Sequence, residues 1–299
     1  MPRIDTLWIG MKTAVDPDSG TDSSIVLIIN EGGEPVDAVH FTLPDTAQND
    51  QEAGQANLYQ IDLHDETPHE GRTFDTQKLN DSSVRVGIRG DDAWSPGSCL
   101  VWGRSTDGNI VPLALNVVKQ GFKDGELSTM IISTDRDEGR TSFCVRRVQP
   151  GNDFTGSTRL ILFLTTADQD NAETNDTITL KITDTLGQVL VNYTFTDTPQ
   201  DDLERAQANF YYADVTGGII RTNLTDESIE LRINGNDAWL PASLFLFGLD
   251  ALEGETVRFV TPLVHLPKWP FGFLSTDTTE GKPSVRLPVI KTTPTPPML

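Results

Sequence analysis

The chain is predicted to be all-β, folded as two antiparallel β-sandwich domains in tandem, and three observations carry that prediction. The first is an internal repeat. Ser83-Val-Arg-Val-Gly-Ile-Arg-Gly-Asp-Asp-Ala-Trp-Ser-Pro-Gly-Ser98 recurs as Ser228-Ile-Glu-Leu-Arg-Ile-Asn-Gly-Asn-Asp-Ala-Trp-Leu-Pro-Ala-Ser243, with eight of 16 positions identical. Three further anchors follow in the same order. Gln55-Ala-Asn-Leu-Tyr59 is answered by Gln207-Ala-Asn-Phe-Tyr211, Val111-Pro-Leu113 by Thr261-Pro-Leu263, and Ser133-Thr-Asp-Arg-Asp-Glu-Gly139 by Ser275-Thr-Asp-Thr-Thr-Glu-Gly281. The second observation is the near absence of helical periodicity. The apolar residues come in short runs of β-branched and aromatic types. The third is the Gly, Pro, Asp and Asn punctuation between those runs, the pattern of a sandwich of short strands.

The strands are expected in order. In the first copy they are Leu7–Ala14, Ser24–Asn30, Ala38–Leu43, Asn57–His64, Ser83–Arg89, Ser98–Gly103, Ile110–Asn116 and Ser142–Val148. The second copy repeats them as Arg159–Thr166, Thr177–Thr183, Val189–Phe195, Asn209–Val215, Ser228–Asn234, Ser243–Gly248, Val257–Leu263 and Ser284–Val289. Ile229-Glu230-Leu231-Arg232-Ile233 shows why: its apolar residues fall on one face of a strand and its charges on the other. The domains are set at 1–148 and 158–290. A polar Gly/Pro linker at 149–157 joins them, and a polyproline-like tail, 291–299, follows.

With 44 acidic against 23 basic side chains in 299 residues, the formal charge is −21 and the pI about 4.4. That field repels phosphate backbones, so nucleic-acid binding is excluded. It opposes anionic membranes as well, unless calcium mediates contact. A salt-adapted host or a need for solubility at high concentration accounts for such acidity. No apolar run reaches secretory or membrane-spanning length, so the chain is expected to be cytoplasmic, or exported without a cleaved signal peptide. The two cysteines, Cys99 and Cys144, both lie in the first copy in apolar contexts and are expected as buried, reduced thiols.

Three motifs are candidates for function. The Gly-(Asp/Asn)-Asp-Ala-Trp-x-Pro unit forms a turn in which Asp92 and Asp237 bind backbone amides. Trp94 and Trp239 there serve as core plugs or as exposed platforms for a ligand or partner. Exposure of Trp94, Trp239 and Trp269 decides between the two. The second motif is a pair of acidic loops, Asp16, Asp18 and Asp22 against Asp168, Asp170 and Asp176, whose closely spaced oxygens suit calcium, the one cofactor the chain suggests. The third is the Ser-Thr-Asp-x-x-Glu-Gly unit at Ser133 and Ser275. It reads as a polar turn in which Ser and Asp cap amides and Gly139 or Gly281 takes a positive φ. A Ser/His/Asp triad is not expected. His265 is the second copy's only histidine, and His40, His64 and His69 have no counterparts there. No phosphate loop or paired-cysteine zinc motif occurs either.

With strands and turns placed, each copy resembles a PLAT domain, the β-sandwich module also found beside lipoxygenase and lipase catalytic domains. Leu7-Trp-Ile-Gly-Met-Lys-Thr13 followed by Gly20-Thr-Asp-Ser-Ser-Ile-Val-Leu27 resembles that family's opening, a strand ending in Thr, a Gly-Thr-Asp turn and a second strand. Asp202-Leu-Glu-Arg-Ala-Gln-Ala-Asn-Phe-Tyr211 and the two Trp turns are similar to later segments. The second copy departs, with Glu173-Thr-Asn175 at the Gly-Thr-Asp position, and the closing Ser-Thr-Asp turn has no counterpart in the family. The resemblance implies a non-catalytic module that binds lipid or protein, sometimes with calcium in its end loops. The expected function is therefore a non-enzymatic adaptor or assembly subunit with protein partners or self-assembly. The alternative is a calcium-assisted peripheral lipid- or ligand-binding module.

Overall fold

The computed structural model describes residues 3–33, 38–44, 50–63, 73–117, 131–151, 156–195, 202–250 and 257–291. Among them there is no α-helix, only single-turn 3-10 segments at Glu31–Gly33, Thr76–Lys78 and Arg221–Asn223. The chain divides into two compact units, Met1–Gln149 and Pro150–Leu299.

The first unit contains β1 (Arg3–Thr13), β2 (Ser24–Ile29), β3 (Val39–Thr42), β4 (Ala56–Asp62), β5 (Phe74–Asp75), β6 (Val84–Arg89), β7 (Pro96–Ser105), β8 (Ile110–Val117) and β9 (Ser142–Cys144). One antiparallel sheet runs β4-β1-β7-β8, with β5 added to the start of β1. The other runs β3-β2-β6-β9. Alternate residues of each sheet face one core: Leu7, Ile9 and Met11 from β1, Val101 from β7, Ile25, Leu27 and Ile29 from β2, and Val84, Val86 and Ile88 from β6. Burying each aliphatic side chain of this kind contributes roughly 1.5–3 kcal/mol.

A short strand β10 (Gln149–Pro150) lies at the junction. The start of the expected linker is not loose, because Gly151 donates its amide to Val260. The second unit then comprises β11 (Ser157–Thr166), β12 (Thr177–Thr183), β13 (Val189–Thr194), β14 (Ala208–Ile219), β15 (Ile229–Asn234), β16 (Ala238–Trp239), β17 (Pro241–Leu249), β18 (Phe259–Leu266), β19 (Leu274–Ser275) and β20 (Ser284–Arg286). Its sheets run β14-β11-β17-β18 and β13-β12-β15-β20, all antiparallel, around Leu160, Leu162, Leu164, Leu180, Leu231 and Leu246. Each pairing matches one in the first unit.

The prolines of the repeated motifs mark the irregularities of the sheets. Pairing of β1 with β7 slips between Lys12 and Thr13, where Thr13 faces Pro96; β11 with β17 slips between Thr165 and Thr166, where Thr166 faces Pro241. The next pairings slip at Trp102 opposite Pro112 and at Phe247 opposite Pro262. Proline has no amide to give a ladder, so it occupies bulges, and a bulge re-aims the side chain beside it. The expected last strands, Ser142–Val148 and Ser284–Val289, end early for a related reason. Val145 donates to Val84 of β6, whereas Val148 donates to Leu113 of β8, so the chain crosses from one sheet to the other; Leu287 to Ile229 and Ile290 to Leu263 repeat that crossing.

Candidate functional site

Both bulges aim a threonine inward at a tryptophan. Trp94 Nε1 donates to Thr13 Oγ1 at 3.0 Å, and Trp239 Nε1 donates to Thr166 Oγ1 at the same distance. Both indoles are 0% exposed. They offer no face to a ligand, which removes the exposed-platform role considered for Trp94 and Trp239, and Trp269 is buried too, its Nε1 donating to the carbonyl of Gly272. The large apolar area of an indole and its single polar atom make this the expected arrangement in a core. Asp92 and Asp237 hold the turn instead: their Oδ1 atoms accept from Ala93 and Ala238, at 2.9 and 2.8 Å. The Asp92 amide donates to Ser23 Oγ and the Asp237 amide to Asp176 Oδ2.

A second set of side chains converges beside the Trp turn. In the first unit Asp50 is buried, its Oδ1 accepting from Asn57 Nδ2 at 2.9 Å and its Oδ2 from the Tyr59 hydroxyl at 3.0 Å. In the second, Asp202 accepts from Asn209 at 3.0 Å and from Tyr211 at 3.1 Å. A buried carboxylate needs such charge-assisted partners to offset its lost hydration. The residue after each aspartate has a positive φ, 64° at Gln51 and 63° at Leu203. This backbone is costly for a residue with a side chain. It is held there by Asn57 Oδ1 and Asn209 Oδ1, which accept the amides of Gln51 and Leu203.

Gln51 is where the two units part. Its Oε1 accepts from the Thr13 hydroxyl at 3.4 Å and its Nε2 donates to Tyr59 at 2.9 Å, which links Trp94, Thr13, Gln51, Tyr59 and Asp50 in one donor chain. Leu203 breaks the equivalent chain. Next to Gln51 and Tyr59 opens a cavity of about 180 Å³, lined besides by Asp22, Ser23, Ile25, Leu43 and Asp50. The amides of Leu43 and Phe195 bond equivalent carbonyls, Ile25 and Ile178. In the second unit Phe195 stacks on Tyr211 with ring centres 4.5 Å apart and planes at 15°, beside the apolar Leu203.

The acidic loops do not match residue for residue. Ser19 donates to the carbonyl of Asp16 as Ala172 does to that of Gln169, and Thr21 accepts from Ser23 as Thr174 does from Asp176. Asp16, Asp18 and Asp22 therefore correspond to Gln169, Asn171 and Asn175, one residue out of step with Asp168, Asp170 and Asp176. Among the described residues no three acidic, His or Cys side chains gather as a metal group. Asp168 and Asp170 both bind the Arg205 guanidinium, Asp168 at 2.8 Å, and hydrogen bonding to Asp168 foremost holds that guanidinium above its ordinary value.

The closing turns are likewise internal. Ser133 Oγ donates to Glu138 and accepts from the amide of Asp135; Ser275 does the same with Glu280 and Asp277. Gly139 and Gly281 do not take the expected positive φ. They are glycines because a Cβ would run into the carbonyls of Ile131 and Phe273. His265 packs edge-on against Phe245, and His64 and His69 lie outside the described residues. Cys99 is buried, which pushes its thiol up, but Cys144 is exposed because strand alternation turns Phe143 inward and Cys144 out. Both cysteines are free. Asp50, Asn57 and Tyr59 were not picked out as chemistry by the sequence, although the Gln55–Tyr59 repeat with Asp seven residues before each Asn carried the signal.

No protein-family model matches the chain, and no curated protein does. Among solved structures the chain is similar to the alpha toxin from Clostridium absonum, at 18% identity and a TM-score of 0.30, over 46% of this chain and 32% of the toxin. A superposition that slight assigns neither fold nor function. Among the described residues no helix is long and apolar enough to cross a membrane.

Proposed function

We propose that this chain is a non-enzymatic binding or assembly subunit made of two copies of one PLAT-like β-sandwich. The observation that supports this reading most is where the repeated polar groups go. In both units the Asp, Asn, Tyr, Thr, Ser and Trp of the shared motifs bind one another or backbone amides, so what the copies have in common is scaffold. The duplication is inferred from these paired hydrogen bonds. The PLAT-like assignment rests on Thr13, the Gly20-Thr21-Asp22 turn and the segment from Asp202 to Tyr211. Two similar domains in one chain present related surfaces, so a second contact forms at high effective concentration once the first is made. The partner is a protein, a further copy of this chain included, and the charge of −21 favours neutral or cationic surfaces.

Mass photometry of the full chain with and without extract from its source tests the reading. A discrete oligomer or a complex of fixed stoichiometry is expected. A strict monomer that acquires no stoichiometric partner counts against it.

A further inference from the structure

We propose that the first unit carries, between β2 and the Asp50 loop, a binding site for an aliphatic primary ammonium group, and that the second unit has the same frame with the site filled in. The cavity has an apolar side and an acidic side. Ile25, Leu43 and Pro44 supply the first; Asp50 on the wall and the exposed Asp22 at the rim supply the second, and Thr21, Ser23, Ser24, Gln51 and Tyr59 complete the lining. No Lys, Arg or His is among its described lining residues. An anion would meet two carboxylates inside a chain of net charge −21. An alkylammonium lays its methylenes along the apolar side and sets its charge against the acidic one, as amphipathic cations do at protein surfaces. At about 180 Å³ the space is smaller than the roughly 300 Å³ at which ordinary small-molecule clefts begin, which fits a single butylammonium-sized group.

The second unit is the internal control. Hydrogen bonds align Thr21 with Thr174, Ile25 with Ile178, Asp50 with Asp202 and Tyr59 with Tyr211, and the frame is thus kept. Six of the ten lining positions differ: Ser23, Ser24 and Pro44 become Asp176, Thr177 and Thr196, and three further exchanges alter the character of the site, Asp22 to Asn175, Gln51 to Leu203 and Leu43 to Phe195. The first moves the rim carboxylate one residue along, to Asp176, where it accepts the Asp237 amide; the second removes a polar chain, and the third sets a ring on Tyr211. Because Leu203 occupies the same left-handed backbone as Gln51, the exchange is compatible with the fold.

The ammonium comes either from a free amine or from a lysine side chain of a protein partner, and the experiment separates these. Saturation-transfer NMR on the full chain uses n-butylammonium, n-butanol, butyrate, and a blocked Gly-Lys-Gly tripeptide with and without acetylation of its lysine. Binding of n-butylammonium is expected on the order of a millimolar, as suits so small a probe, and weaker with added salt. Butanol and butyrate should show at least tenfold less. A tripeptide that binds as well as the amine, and not when acetylated, identifies lysine as the source; binding of the amine alone identifies a small amine. The triple variant Asp22→Asn, Leu43→Phe, Gln51→Leu should lose the response while its melting curve and near-ultraviolet tryptophan signal stay native-like. The reverse set, Asn175→Asp, Phe195→Leu, Leu203→Gln, should raise the stoichiometry from one site to two. If the variant does not fold, the reverse set alone decides. No amine response, an equal butanol response, a folded triple variant that still binds, or a reverse set that adds no site overturns the proposal.

Discussion

Beside the buried tyrosine the two units differ in kind: in one, Leu43 and Gln51 border an open cavity, and in the other Phe195 lies flat on Tyr211 next to Leu203. Apart from the two bonds of the Gln51 side chain, which Leu203 cannot make, the hydrogen bonds around that difference hardly change. Trp to Thr, Tyr and Asn to Asp, and the strained amide to Asn all recur within about a tenth of an ångström. The lesson is that scaffold and lining are separable here. Buried polar pairs leave little room for substitution, because a lost partner strands a desolvated group, whereas the apolar wall beside them accepts rings and methylenes in exchange.

The comparison breaks most readily at the tryptophans. Trp94→Ala and Trp239→Ala should each destabilise the unit they sit in by about 3–5 kcal/mol, read from thermal melts followed by circular dichroism. If one unit tolerates the change within about 0.5 kcal/mol, the two indoles are not equivalent plugs. Next come the buried carboxylates. Asp50→Asn and Asp202→Asn each replace a charged acceptor by a neutral one, at roughly 1.5–3 kcal/mol, measured by urea unfolding. Similar losses are expected in both units. A loss confined to one unit would mean that the two aspartates are not equivalent members of the frame.

A smaller effect sharpens the comparison. Gly54 and Ala206 occupy the same turn, their amides bonding the carbonyls of Ala14 and Ala167, and both have positive φ, 76° and 60°. Ala206→Gly should therefore stabilise the second unit by up to about 1 kcal/mol, and Gly54→Ala should weaken the first by as much. Opposite signs in a thermal melt are the expected result; a destabilised Ala206→Gly would show that the turns differ.

The positions of the long strands along the chain were legible in the sequence because alternation and turn residues act locally, whereas the two-residue strands β5, β10, β16 and β19 and the order of the strands in the sheets were not. For Trp94 and Trp239 the sequence left core plug and exposed platform both open, and the 0% exposure of the indoles decides for the plug. What was not legible depends on contacts across the fold. Asp50 reaches Tyr59 only once the loop closes on β4. Gly139 reads as a turn glycine until Ile131 is placed against it. The acidic loops look alike by composition, and only the hydrogen bonds of Thr21 and Thr174 reveal the one-residue offset.

The smallest effects belong to exposed charges peculiar to one unit. Arg205→Ala should barely move the thermal midpoint, since its ion pairs with Asp168 and Asp170 face solvent. Millimolar calcium tests the acidic loops: a chelator-reversible rise in melting temperature supports the calcium reading, and no shift at low ionic strength counts against it. Acid provides a last distinction. Asp226 is held below the ordinary carboxylate value of 3.8 by its hydrogen bond to Lys291, and Asp277 by the amide and hydroxyl of Thr279. A lowered folded-state value means that the stabilisation is present above the unfolded value and disappears as pH falls through the folded one. Both anchors should thus hold at neutral pH and loosen only below about pH 4, visible as faster amide exchange at Thr279 and Val289. Loosening between pH 5 and 7 would point to another titrating group.

The closing segments have a consequence for how the chain reaches its native state. Thr134 binds the carbonyl of Gly90 and Thr276 that of Gly235, and the crossings after them use matching partners. Each terminal strand thus presents chemistry that fits either acceptor, and a chain refolding from denaturant faces two ways to pair them. Interdomain misassembly of this sort is a recurrent failure of tandem proteins. On the ribosome the ambiguity is removed by time. Ser275 emerges 142 residues after Ser133, roughly 7–28 seconds later at 5–20 residues per second, so the first segment meets its acceptor before a competitor exists.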